Sequence, residues 1–160
     1  MSTEPNSALD NAKGWAEAIS ETVVALRCDY DRLEELTGTD IEELSDEDKE
    51  ELTRLQDEAG DVGSWDEAIT RIEESALSIE VRSGWTAPGD PLEAEEFQIV
   101  LTMGGPALRI VGELMQGQVS MCSPDSLGLE YRDWGTGWAQ YSHIDPDTLL
   151  EFCNCFSFGE

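Results

Sequence analysis

Between Ala8 and Leu36, the residues Trp15, Ile19, Val23, Leu26, Tyr30 and Leu33 recur at steps of three and four. That period places one apolar stripe on a single long helix, with Ser7 as its cap and Gly38 as its stop. A second helix is expected over Asp46–Glu58, with Ser45 as cap, acids in its first turn and Gly60 behind it. A third begins at Ser64, where Ser64-Trp65-Asp66-Glu67 forms a capping box and Ile69 and Ile72 point inward.

The period then shortens. Leu77, Ile79 and Val81 alternate with polar neighbours, the pattern of a half-buried strand. A loop of Gly, Pro and acids follows over Gly84–Glu93, then a second strand over Phe97–Met103. Gly104-Gly105-Pro106 is a turn signal, and Leu108, Ile110 and Leu114 mark a third strand. Leu127, Leu129 and Tyr131 give a fourth, with a short extended piece over Trp138–Tyr141. Asp145-Pro146-Asp147 opens a closing helix whose buried face carries Leu149, Phe152, Cys153 and Phe156. The expected class is α+β: three acidic N-terminal helices, an antiparallel sheet of about four strands, and a C-terminal helix. A single domain is expected over residues 1–160, with acidic helices over 1–75 and the sheet and closing helix over 76–160.

Charge changes what this fold is expected to do. Thirty-six Asp and Glu face nine Lys and Arg in 160 residues, a formal net charge of −27. Self-repulsion of that size opposes compaction. Yet 39% of the chain is apolar and it contains five Trp, far more than a disordered acidic tail carries. The acids also sit unevenly, with net −18 over residues 1–80 and −9 over 81–160. No apolar run spans a membrane, and anionic headgroups would repel this surface. The polar stretch Met1–Asp10 has no basic region leading into an apolar one, so a cytoplasmic location is expected rather than secretion.

Three runs are distinctive: Gly104-Gly105-Pro106-Ala107-Leu108-Arg109-Ile110-Val111-Gly112-Glu113-Leu114, then Leu129-Glu130-Tyr131-Arg132-Asp133-Trp134-Gly135-Thr136-Gly137-Trp138, and the terminal Phe156-Ser157-Phe158-Gly159-Glu160. Together they resemble a group of small uncharacterised bacterial and phage-associated proteins. The resemblance covers roughly residues 76–160 and carries no activity or site residue with it. In charge and size, though not in motif, the chain is similar to phage-encoded anti-CRISPR and anti-restriction proteins that mimic DNA. That class analogy implies a non-enzymatic inhibitor and assigns no residue.

DNA is gripped mainly through its phosphates, by Lys and Arg. Helix positions three or four apart stand about 5–6 Å from each other, so a helix with acids at those spacings presents an imitation of the phosphate backbone. Residues Asp40–Asp61 are richest, with Glu43/Glu47/Glu50 and Glu47/Glu51 at the required separations. Glu17/Glu21 and Asp31/Glu34/Glu35 continue the theme on the first helix. The expected partner-binding face is Glu42, Glu43, Asp46, Glu47, Glu50, Glu51, Asp57 and Glu58. Tyr131, Trp134 and Trp138 are secondary contact candidates, because Trp and Tyr dominate interface hot spots. The expected partner is a basic nucleic-acid-binding protein, a CRISPR effector or restriction enzyme, and not nucleic acid itself. The alternatives are an immunity or adaptor protein with another basic partner, and an acidic housekeeping domain adapted to high salt.

Other chemistry is weakly represented. Cys153 and Cys155 would point about 200° apart on a helix, and no paired C-x-x-C motif exists. Buried structural cysteines are expected, with convergence of Cys28, Cys122 and the sole His143 as the alternative. A Cys–His nucleophile would need His143 beside a thiol, with Asp145 to orient it. Gly104-Gly105 lacks the Lys-Ser/Thr and helix start of a phosphate loop, and Asp46–Glu51 lacks the central Gly of a calcium loop. No metal, cofactor or catalytic residue is expected. Arg82, Arg109 and Arg132 fall on strands and are expected to pair with acids.

Overall fold

The computed structural model describes residues 7–103, 106–115, 118, 126–133 and 135–158. The N-terminal layer holds α1 (Ser7–Arg27), α2 (Tyr30–Thr37), a 3-10 turn (Ile41–Glu43), α3 (Asp46–Ala59) and α4 (Trp65–Ser75). An antiparallel sheet follows in chain order: β1 (Ser78–Ser83), β2 (Ala94–Thr102), β3 (Ala107–Glu113), β4 (Gly128–Arg132) and β5 (Ala139–Tyr141). Helix α5 (Pro146–Cys153) closes the chain. The α+β class therefore stands, with one more helix and one more strand than the expected three and about four.

The extra helix comes from a break in the expected Ala8–Leu36 segment. The side chain of Asp29 accepts a hydrogen bond from the Arg32 backbone N–H at 3.0 Å, capping α2 and ending the continuity with α1. The Tyr30 hydroxyl donates to the Ala25 carbonyl at 2.6 Å across that corner. The caps at Ser45, Ser64, Asp145 and Gly60 fall where expected, whereas Ser7, expected as a cap, is the first residue of α1 itself. Ser45 accepts from Asp48 N–H, Asp145 accepts from Thr148 N–H, and Gly60 ends α3 at φ 60°, a conformation suited to glycine. In the capping box, Ser64 accepts from Glu67 N–H, while the Glu67 carboxylate reaches Gly63 N–H rather than that of Ser64.

Helix α1 lies across one face of the sheet and touches β3, β4, β5, α3, α4 and α5. Ala8, Ala12 and Ala16 bring its backbone close, and Ile19 and Val23 continue the buried stripe. Opposite them stand Phe97, Ile99, Leu101, Leu108, Ile110 and Leu129 from the strands, and Leu149, Phe152 and Cys153 from α5. A second cluster holds the smaller helices together through Cys28, Leu36, Leu44, Leu55 and Ala59.

Strand β1 corrects the expectation of a half-buried strand. Leu77, Ile79 and Val81 alternate as read, but all three are exposed. β1 is an edge strand, in register with β2 through Ile79↔Ile99 and Val81↔Phe97, and α1 packs over the other end of the sheet. β2 and β3 form the expected hairpin, whose Gly104 and Gly105 lie outside the described residues.

Gly112 occupies a place where the sheet and a loop meet closely. A Cβ there would fall 2.6 Å from Leu127 Cδ2 and 2.7 Å from Phe97 Cε1. Phe97 is in turn held by the Phe158 ring, with centroids 4.5 Å apart. Gly112→Ala is therefore expected to cost about 1–3 kcal/mol through overpacking. Urea denaturation should show a lower midpoint with an unchanged slope.

Candidate partner-binding surface

Ser45 sets the register of α3, and the acids Asp46, Glu47 and Asp48 in its first turn favour the helix through its dipole. Leu52, Leu55 and Ala59 turn toward the α2 cluster. At 100° per residue, Asp46, Glu50 and Asp57 then lie within about 40° of one another on the outward side, with Glu47 flanking them. All four are exposed.

The expected face divides into two sets. Glu42, Glu43, Asp46, Glu47, Glu50 and Asp57 are exposed and have no basic group within 4 Å among the described residues. Glu51 and Glu58 are half-buried and engaged. The Arg32 guanidinium reaches from α2 to Glu51 at 2.8 Å, Asp48 at 3.0 Å and Glu35 at 2.9 Å. Arg54 takes Glu58 at 2.8 Å, with Glu51 at 3.7 Å. Hydrogen bonding to Glu51, followed by the field of the neighbouring carboxylates, holds Arg32 still more firmly protonated than usual.

One spacing argument needs correction. Glu43 belongs to the 3-10 turn, and Leu44 and Ser45 are extended, with ψ of 141° and 165°. Glu43, Glu47 and Glu50 therefore do not share one helical ladder. The exposed acids thus comprise Glu42 and Glu43 in the turn and, on α3, a row of Asp46, Glu50 and Asp57 with Glu47 flanking it.

A separate groove of about 590 Å³ lies between α2 and the start of α4, lined by Tyr30, Leu33, Ala59 and Val62. Trp65, the first residue of α4, stands exposed at its rim with Asp31, Glu34 and Asp66. In the sequence Trp65 stands out only as a member of the capping box. The cap fixes where α4 begins and not which side its first residue faces, so its exposure is set by packing.

The secondary candidates are used within the fold. Tyr131 packs against the main core. Trp138 lies on the outer face of the sheet, its ring centroid 4.1 Å from Arg109 Cζ and 4.4 Å from Arg132 Cζ. Trp134 lies outside the described residues. Arg82 pairs with Glu96, and Arg109 with Glu130 at 2.8 Å, as expected. Arg132 differs: it stacks on Trp138 and has no ion pair among the described residues.

Compared with protein-family models, curated proteins and solved structures, the chain matches none.

The thiols are placed as core residues. Cys153 is fully buried, and burial pushes its thiol far above the ordinary range. Cys28 is buried, and its Sγ donates to the Leu55 carbonyl at 3.6 Å. Cys122 lies outside the described residues. His143 meets Tyr141 edge-on, with centroids 5.5 Å apart, and Asp145 is occupied as the cap of α5. Among the described residues, no group of three or more His, Cys, Asp and Glu could hold a metal ion. No helix among them is long and apolar enough to cross a membrane.

Arg32 is the tie between α2 and α3, and removing it leaves Glu35, Asp48 and Glu51 facing one another. Arg32→Gln is expected to lower Tm. The gap from the parent should narrow as salt rises, because screening weakens the uncovered repulsion. Melting curves by circular dichroism at low and high salt measure both.

Proposed function

We propose that the chain is a non-enzymatic acidic inhibitor that occupies a positively charged nucleic-acid channel of a bacterial defence nuclease, either a CRISPR effector or a restriction enzyme. The observation that carries this reading is the set of six exposed carboxylates, Glu42, Glu43, Asp46, Glu47, Glu50 and Asp57, left without basic partners among the described residues. Arg32 and Arg54 bind the inward acids of the same segment, so the outward ones are left for a partner. On α3, Asp46 and Glu50 stand one turn apart and Asp57 about two turns further on, roughly 10 Å beyond Glu50. A basic channel that reads phosphates offers guanidinium and ammonium groups at similar intervals.

Mutual repulsion along this row disfavours the free protein by a few tenths of a kcal/mol for each neighbouring like pair. A cationic channel removes that cost on binding. Long-range attraction raises the rate of encounter. The exposed Trp65 and its groove add an apolar anchor of the kind that concentrates binding energy. Inhibition is competitive: while the acidic row fills the channel, DNA cannot enter.

The test is inhibition of a panel of CRISPR effectors and restriction endonucleases. Binding to the sensitive enzyme should weaken about tenfold or more between roughly 0.05 and 0.3 M salt, and excess duplex DNA should compete. The variant Glu47→Lys, Glu50→Lys, Asp57→Lys should keep its circular dichroism spectrum and lose inhibition by about a hundredfold or more, as expected for several reversed contacts. Undiminished inhibition by that variant would remove the acidic row from the mechanism.

A further inference from the structure

We propose that β1 pairs with β1 of a second copy of this chain, joining two five-stranded sheets into one continuous antiparallel sheet across a two-fold axis at Val81. β1 is the first strand of the sheet and bonds only to β2; no strand lies along its other side among the described residues. Proteins blunt such edges with charge, proline or a covering element. This edge carries an apolar ladder on its helix side, and its two charged residues, Glu80 and Arg82, are of opposite sign. Leu77 is 64% exposed, Ile79 37% and Val81 46%, and the side chain of Trp85 just beyond is fully open to solvent.

The composition of the edge argues against a basic partner here. Ala76–Gly89 contains one acid, Glu80, and one base, Arg82. This stretch is neutral within a chain of net charge −27. Its attraction is therefore local and depends on which residues face one another.

A two-fold axis normal to the sheet makes one residue face its own copy and keeps the faces in register. With the axis at Val81, Glu80 faces Arg82 of the second copy, and Arg82 faces its Glu80, giving two opposite-charge pairs on the outer face. Val81 meets Val81 on the helix side, and Ile79 and Leu77 lie toward the Ser83–Trp85 end. An axis at Glu80 or Arg82 sets like charges directly opposite, which destabilises a strand pair. An axis at Ile79 gives no ion pair. Charge complementarity thus selects Val81. The irregularity in β1 falls after Arg82, outside the central triplet. Both side chains bond across to β2 in the single chain, Arg82 to Glu96 and Glu80 to Gln98, with Arg82 76% exposed; pairing turns them toward the second copy.

The whole-molecule charge opposes this pairing, so its salt dependence has the reverse sign from binding to a cationic channel. Screening the repulsion between two copies should tighten the dimer. The test is sedimentation equilibrium of the full chain at low and high salt, where the expected mass at high salt is twice 17.7 kDa. Glu80→Arg and Arg82→Glu should each weaken self-association about tenfold or more, because each turns both cross-strand pairs into like pairs. Mixing the two variants should restore a heterodimer, since every opposed pair is then again of opposite sign. A merely structural role for either residue would not produce that rescue. A chain that stays monomeric at high salt and high concentration overturns the proposal. So does a dimer that the single reversals leave intact, or a mixture that fails to reassociate.

Discussion

The contact between α1 and the sheet carries most of the organisation. Ala8, Ala12 and Ala16 let the helix approach closely, and Ile19 and Val23 then reach the layer formed by Ile99, Leu108, Ile110 and Leu129. Apolar burial of this kind is the dominant favourable contribution to folding. It has to be concentrated here, because 36 acids repel one another over the remaining surface. Helices α4 and α5 complete the layer through Ile72, Leu149 and Phe152. The smaller α2–α3 unit has its own cluster and joins α1 through α3.

The few basic residues are spent on holding elements together. Arg27 ties α1 to Glu151 of α5, and Arg32 ties α2 to α3. Arg71 ties α4 to Asp61 in the preceding loop, and its hydrogen bond is the main reason the Asp61 carboxyl lies below its usual range. Arg82 and Arg109 link neighbouring strands. Exposed ion pairs contribute little to stability one at a time. In this chain their larger effect is on which carboxylates remain unpaired. Those acids lie mainly on the helical layer, while Arg82, Arg109 and Arg132 share the outer face of the sheet. The molecule thus has an acidic helical side and a sheet face with balanced charge. The proposed inhibitory surface and the proposed self-pairing edge fall on different regions of it.

Most of the candidate site was legible in local chemistry. The cap at Ser45, the acids behind it and the stop at Gly60 place α3 to within a residue. The division between free and engaged acids was not legible, because Arg32 lies 16 to 19 residues before Asp48 and Glu51 and meets them only after α2 folds back. The ladder through Glu43 failed for a local reason: Leu44 is drawn into the small cluster, and the chain is extended between the turn and the helix. Trp138, a contact candidate on sequence, also serves as the platform for Arg109 and Arg132, a stack that brings β3, β4 and the residue before β5 together.

Sequence alone determined the elements whose causes are short-range: helices at period 3.6, strands at period 2, caps at Ser45, Ser64 and Asp145, and the large negative charge. The break in the long first helix has a local cause, the Asp29 cap on Arg32 N–H, which the continuing apolar stripe masks, while tertiary structure decided how α2 folds back on α3. It also decided which apolar ladders are covered. Leu77, Ile79 and Val81 have the same alternation as Phe97, Ile99 and Leu101, yet only the second set meets a helix. Periodicity records which side of a strand is apolar. Whether another element reaches that side depends on strand order and on the length of α1.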